Sequence, residues 1–176
     1  MIHLFLKTPL FLLSFSLLCT FASQVLASSL SLPAIFLNQQ GVDALKENKT
    51  KTAFEKFVEA LGKDPFAAEL QINMGLTFEM EQKAESAQQA YDSAIEKANE
   101  PAPRFIALFN KAQLLAKGEK IDEALKNYQM ALEILPESKE VKTNIELLIQ
   151  KKQQQEKQQQ QQDQDQKQDQ NKDQKE

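Results

Sequence analysis

The sequence has very few of the side chains that usually carry out catalysis or hold metals. It contains one histidine and one cysteine, and no tryptophan. His3 and Cys19 both lie within residues 1–27, so a chain without that segment lacks the usual general base, the thiol nucleophile and the commonest zinc ligands. No glycine-rich phosphate loop occurs. We therefore expect no enzymatic activity, no cofactor and no metal.

Other scarce features limit which folds and which classes of partner the sequence is compatible with. The net charge is only −4, and no cluster of Lys and Arg predicts binding to a nucleic acid. Glycine is rare, and no run of alternating β-branched residues predicts a sheet. Residues 41–150 are instead rich in Ala, Leu, Glu, Lys and Gln, which are good helix formers. This composition predicts an all-α protein.

A stripe of small and aromatic residues recurs along this helical region. Its members are spaced by three or four residues, so each set shares one face of a helix. The sets are Ala53, Phe57 and Ala60, then Ala87, Tyr91 and Ala94, then Ala124, Tyr128 and Ala131. The distance from Ala53 to Ala87 is 34 residues, and Gly41 and Gly75 are also 34 residues apart. From Ala87 to Ala124 the distance is 37, with the extra residues around 98–104.

A period of 34 residues with this stripe resembles the tetratricopeptide repeat (TPR) family. The resemblance covers residues 34–138, as repeats at 34–67, 68–104 and 105–138. Gln71 and Lys111 depart from the family pattern in the first helices of the second and third repeats.

The resemblance implies an α-solenoid of three helix-turn-helix repeats. A solenoid needs a polar cap, and residues 139–152 are predicted to be a capping helix. Its apolar residues Val141, Ile145, Leu148 and Ile149 share one face, and the other face is polar. Residues 153–176 are rich in Gln, Lys and Asp and contain no apolar residue, so we expect them to be disordered.

The amino-terminal segment has the pattern of a bacterial export signal. Lys7 precedes an apolar run, and small residues follow it, with cleavage expected after Ala22 or Ala27. Residues 4–21 are also close to membrane-spanning length, so an uncleaved membrane anchor is the alternative. Either case predicts a periplasmic location for the repeats, soluble or tethered to the inner membrane.

The TPR resemblance implies that the protein binds other proteins. In that family the first helix of each repeat lines a concave groove, which here comprises Ile35, Asn38, Val42, Ile72, Asn73, Leu76, Ile106, Phe109, Asn110 and Gln113. Of the residues with which well-known relatives clamp a chaperone's terminal carboxylate, only Asn73 is matched. The expected ligand is therefore an amphipathic helix or an extended segment. The alternative is that Ile35, Ile72 and Phe109 pack between the repeats.

A narrower resemblance comes from the order of the segments. An export signal, a few repeats and a Gln/Lys/Asp-rich tail are similar to the small TPR members of bacterial aerotolerance (Bat) operons. This resemblance implies a cell-envelope scaffold that works with inner-membrane proteins carrying von Willebrand A domains. Two alternatives remain open, a periplasmic assembly factor for cell-wall or outer-membrane machinery and an accessory subunit of an envelope enzyme.

Overall fold

The computed structural model describes residues 30–173, and within that range it contains seven helices and no strand. They are α1 (Leu32–Lys46), α2 (Thr50–Leu61), α3 (Ala68–Met80), α4 (Ala84–Lys97), α5 (Pro101–Lys117), α6 (Ile121–Ile134) and α7 (Lys139–Asp173). The predicted all-α repeat architecture is confirmed. The predicted export segment, with its cleavage sites, His3 and Cys19, lies outside the described residues.

The helices pack as three consecutive pairs. The most extensive contacts join α1 to α2, α3 to α4, and α5 to α6. Successive pairs are joined where α2 meets α3 and where α4 meets α5, and α7 packs on α6. The first helices of neighbouring pairs also touch, α1 with α3 and α3 with α5. This arrangement brings α1, α3 and α5 side by side.

The turn inside each pair has the same geometry in all three. Asn48, Gln82 and Glu119 have positive φ angles of 59°, 60° and 61°. The next residue in each turn donates its N–H to a carbonyl five residues earlier: Lys49 to Ala44, Lys83 to Phe78, and Lys120 to Leu115. These bonds satisfy carbonyls that the end of a helix would otherwise leave unpaired. Glycine or asparagine usually occupies the left-handed position, so Asn48 suits this turn, whereas Gln82 and Glu119 give no sign of it in the sequence.

The repeated stripe forms the centre of the hydrophobic core. All nine of its residues are buried, and Phe57, Tyr91 and Tyr128 are the aromatic side chains at its middle. Gly41 and Gly75 allow the close approach of two of those rings. A Cβ atom on Gly41 would lie 2.4 Å from Cε1 of Phe57. At Gly41 and Gly75 the first helix of a pair therefore lies directly against the aromatic ring of the second helix.

The last helix begins at Lys139, where the capping helix is predicted to start, and packs on the third pair. Val141 and Leu148 are buried against the third pair, and Lys151 and Lys152 form ion pairs with Glu119 and Asp122. The helix then continues to Asp173, whereas the sequence predicts a disordered segment from residue 153. Gln, Lys and Glu have high helix propensity, so a helix can extend there without an apolar face.

Among the helices that the structure describes, none is both long and apolar enough to cross a membrane.

Candidate protein-binding groove

The ten predicted groove residues lie on α1, α3 and α5, the three helices that the fold places side by side. We call them the groove surface. Their accessibility differs. Ile35 is exposed, Ile72 and Asn110 are buried, and the others are half-buried: Asn38, Val42, Asn73, Leu76, Ile106, Phe109 and Gln113. The structure therefore brings the predicted residues onto neighbouring helices, but leaves them unequally open to a ligand.

Two asparagines of the groove surface join the first and second pairs. The side-chain nitrogen of Asn73 donates a hydrogen bond of 2.7 Å to the side-chain oxygen of Asn38. One turn later on α3, the Thr77 hydroxyl donates a hydrogen bond of 2.8 Å to the backbone carbonyl of Asn73. An amide group has two donors and an acceptor with two lone pairs, so each asparagine keeps hydrogen-bonding capacity beyond this contact.

Asn110 on α5 is the one side chain with a buried and unpartnered polar atom among the described residues. The residue is only 3% exposed, and its Nδ2 atom has no hydrogen-bond partner. Leaving a buried donor unsatisfied costs about 1–3 kcal/mol. A carbonyl oxygen that reached this amide would remove that penalty, but the atom is closed to solvent, so a ligand could meet it only after neighbouring side chains had moved.

Two of the apolar groove residues, Ile72 and Phe109, pack against residues of the hydrophobic core. Ile72 belongs to the buried cluster that contains Tyr91. The ring of Phe109 lies 5.8 Å from that of Tyr128 in an edge-to-face arrangement and 6.2 Å from that of Phe105. The cluster of Ile72 joins the second repeat to Ala107 of the third, whereas both ring contacts of Phe109 lie within its own repeat. Ile35 is the exposed one of the three.

The charged residues at the carboxyl ends of α3 and α5 are paired with each other. Oε1 of Glu79 accepts a hydrogen bond of 2.6 Å from the Tyr91 hydroxyl, and Oε2 accepts one of 2.8 Å from Lys117. Burial raises the pKa of Tyr91, and the Glu79 carboxylate raises it further, so this hydroxyl stays protonated as the donor. The sequence places Glu79 and Lys117 near the groove but gives no sign of this pairing.

At the end of α1, Lys46 forms an ion pair of 2.9 Å with Asp43. Hydrogen bonds from Lys46 and then Gln39 hold the pKa of Asp43 below its usual value. Lys46 and Lys117, which stand at the ends of α1 and α5, are thus both paired with carboxylates of the same protein.

A separate cleft of about 340 Å³ lies between α4, α5 and α6, and the sequence does not predict it. Its lining includes Leu108 and Met130 and the ion pair of Lys111 with Asp92. Within the part of the chain that the structure describes, no group of three or more His, Cys, Asp or Glu side chains could hold a metal ion.

Comparison with solved structures shows what this arrangement of helices is. The TPR domain of Sgt2 from Aspergillus fumigatus matches 74% of this chain and 86% of its own, with a TM-score of 0.66 and 14% identity. The chain has the tetratricopeptide-repeat fold. No family model matches the sequence, and a comparison with curated proteins finds no significant match.

Two further structures of similar fold contain a bound peptide. The first TPR domain of Spaghetti (RPAP3), bound to the HSP90 peptide SRMEEVD, matches 67% of this chain and 94% of its own, with a TM-score of 0.62 and 21% identity. The second is the type III secretion chaperone SycD of Yersinia enterocolitica, in complex with a peptide of the translocator YopD. It matches 66% of this chain and 92% of its own, with a TM-score of 0.57 and 18% identity. At these identities the similarity shows the fold alone. In TPR terms α1, α3 and α5 are the first helices of the three repeats.

Proposed function

We propose that this TPR protein is a non-catalytic scaffold of the bacterial cell envelope, which binds a segment of a partner protein on the groove surface. The observation that carries this proposal is the side-by-side arrangement of α1, α3 and α5, with the half-buried amides of Asn38 and Asn73 on the first two. On α5 the half-buried Gln113 adds a third side-chain amide. RPAP3 and SycD, which share the fold, bind peptides, and this supports a peptide as the ligand.

The chemistry of the groove surface favours an uncharged segment. The HSP90 and HSP70 peptides bound by the RPAP3 domains, SRMEEVD and SGPTIEEVD, are acidic and end in aspartate. An acidic ligand needs free cations, but here Lys46 is paired with Asp43 and Lys117 with Glu79. Side-chain amides bind backbone groups of any sequence, and Ile35, Leu76 and Ile106 offer apolar contacts. We infer that the ligand is an internal helix or extended segment whose backbone carbonyls meet the amides.

The proposed location is the periplasmic side of the envelope. The apolar run after Lys7 and the small residues before Ser28 support export, as a soluble protein or as one tethered to the inner membrane. Tethering would raise the effective concentration of membrane partners near the groove surface without any new contact. Bat-type membrane proteins with von Willebrand A domains are the partners we propose.

Photo-crosslinking tests the groove surface directly. A photo-crosslinking amino acid in place of Gln113, which is half-buried on α5, is expected to capture the partner in intact cells. The matched control replaces Gln129, which is exposed on the second helix of the same repeat. Crosslinks at 113 and not at 129, to a von Willebrand A protein identified by mass spectrometry, would support the proposal. Equal crosslinking at both positions, or crosslinking at 129 alone, would contradict it.

Cell fractionation tests the location. The protein is expected in the periplasmic or inner-membrane fraction, with an amino terminus near Ser28 if the signal is cleaved and at Met1 if it is retained. Full-length protein in the cytosol would contradict both forms.

A further inference from the structure

Three large apolar side chains are strongly exposed at the amino-terminal end of the repeats. Leu32 is 82% exposed, Phe36 is 67% exposed and Phe66 is 77% exposed. Leu32 and Phe36 are four residues apart on α1 and so share one face of that helix. Phe66 lies in the turn between α2 and α3. We call these three residues the end patch.

Hydrogen bonds hold that turn to the beginning of α1. Oδ2 of Asp64 accepts bonds from both the backbone nitrogen of Ser31, at 2.6 Å, and its hydroxyl, at 2.9 Å. Ser31 precedes Leu32, and Asp64 is two residues before Phe66. All three members of the end patch are thus at the same end of the fold. The Asp64 carboxylate in this turn already has two donors.

The internal repeat shows that a side chain at this position is normally covered. Leu70 and Ala107 occupy the place of Phe36 in the second and third repeats, and both are fully buried. Their helices, α3 and α5, each pack on the second helix of the repeat before them. Among the described residues no repeat precedes α1. Phe36 is therefore an apolar residue at a position that is buried in the other two repeats, but here no helix packs over it.

We propose that the end patch lies against the lipid bilayer when the amino-terminal apolar run is retained in the chain. Residues 8–42 contain no Asp, Glu, Lys or Arg, so the uncharged region runs from the apolar run into α1 without interruption. A run of near-spanning length in the membrane would keep α1 close to the lipid surface. Only about ten residues separate Phe21 from Leu32, which limits their distance to roughly 35 Å.

The bilayer fits this surface better than the apolar run folded back onto it. Three side chains cannot cover the many apolar residues between positions 8 and 29, whereas a membrane removes both the run and the end patch from water. Phe and Leu are side chains with which helices enter the boundary between headgroups and acyl chains. Since Lys63 and Asp64 are the charged residues in the adjoining turn and have opposite signs, the contact does not require anionic lipid.

Tryptophan fluorescence can test this contact, because the chain has no tryptophan of its own. The full chain with Phe36→Trp is reconstituted into phosphatidylcholine vesicles, with or without bromine on the acyl chains. We expect blue-shifted emission that brominated lipid quenches. The control Leu135→Trp replaces a partly exposed residue at the carboxyl-terminal end of the repeats, and its emission should be unaffected by bromine.

Several outcomes would overturn the proposal. Blue-shifted but unquenched emission from position 36 would mean that protein covers the end patch, either residues 8–29 or a second copy of the chain. Red-shifted, unquenched emission would mean that water covers it, and equal quenching at positions 36 and 135 would mean unspecific adsorption. Phe66→Trp gives an independent reading if Phe36→Trp does not fold. A negative result would leave the groove proposal standing, because no residue of the end patch belongs to the groove surface.

Discussion

The ring of Tyr91 lies so close to Gly75 that the backbone of α3 and the ring of α4 leave no room for a methyl group between them. A Cβ atom on Gly75 would lie 2.4 Å from Cε1 of Tyr91 and 2.7 Å from Cδ1. The ring cannot readily swing away, because Tyr91 is fully buried and its hydroxyl is held by Glu79. The 34-residue recurrence of glycine therefore has a steric cause.

Gly75→Ala is expected to destabilise the protein, although alanine is the better helix former. The propensity gain is about 1 kcal/mol, and overpacking a tight core contact costs about 1–3 kcal/mol. Gly118→Ala is the control, because a Cβ there would meet only carbonyl oxygens at 3.6 Å or more. Urea denaturation of both variants measures the difference. A Gly75→Ala protein as stable as wild type would show that the ring can move aside.

The left-handed turns predict that substitution by glycine raises the stability of the protein in a turn and lowers it inside a helix. Gln82→Gly should stabilise the protein by up to about 1 kcal/mol, since glycine adopts a positive φ without the strain of a side chain. Gln89→Gly, at an exposed site inside α4, should destabilise it by about 1 kcal/mol. Thermal denaturation of the two variants side by side tests the assignment. Destabilisation by both would argue against the left-handed conformation of Gln82.

Both tyrosines of the chain predict a loss of stability in alkali. Burial raises the pKa of Tyr91 and of Tyr128 above the ordinary value of 10.0, and the Asn144 hydrogen bond only partly offsets this at Tyr128. The contribution of the two tyrosines to stability is therefore fully present below pH 10. Above it, unfolded tyrosines release protons that folded ones keep, and the free energy of unfolding falls by about 1.4 kcal/mol per pH unit for each tyrosine.

Tyrosinate absorbance and circular dichroism, recorded together, measure this effect. We expect tyrosinate to appear only as the helical signal is lost. Tyr91→Phe should halve the amplitude of the absorbance change. Tyrosinate forming near pH 10 in a fully helical protein would contradict the burial of these hydroxyls.

Removing the tail after Lys152 is expected to leave the melting temperature almost unchanged. Lys151 and Lys152 are the last residues with ion pairs to the repeats among the side chains described, which end at residue 158. The helix beyond them has no apolar face to bury. Calorimetry of the truncated and full chains tests this, and a fall of about ten degrees would show that the tail docks on the repeats.

Asn73→Ala is expected to weaken capture of the partner while changing stability little. The half-buried bond to Asn38 contributes about 1 kcal/mol. Asn127→Ala is the matched control, since Asn127 bonds the backbone of its own helix, α6, away from the groove surface. Crosslinking yield at position 113 reports capture, and denaturation reports stability. If Asn73→Ala unfolds the protein, Asn73 belongs to the scaffold and the groove surface is misplaced.

The helices and their order could be predicted from the sequence because both depend on local spacing. Residues three and four apart share a helix face whatever surrounds them, so the stripe from Ala53 to Ala131 predicts the buried face of each second helix. The length of α7 was harder to predict, because high helix propensity and lack of a core act in opposite directions after residue 152.

The candidate site depended on packing between helices that are far apart in sequence. The Asn38–Asn73 bond joins residues separated by 35 positions, and the Glu79–Lys117 bond joins residues separated by 38. The repeat period identifies which helices are neighbours. Whether Ile72 and Phe109 face the core or a ligand depends on how those helices are rotated and how closely they approach. Local spacing alone determines the face of a helix, but only the tertiary structure decides what that face contacts.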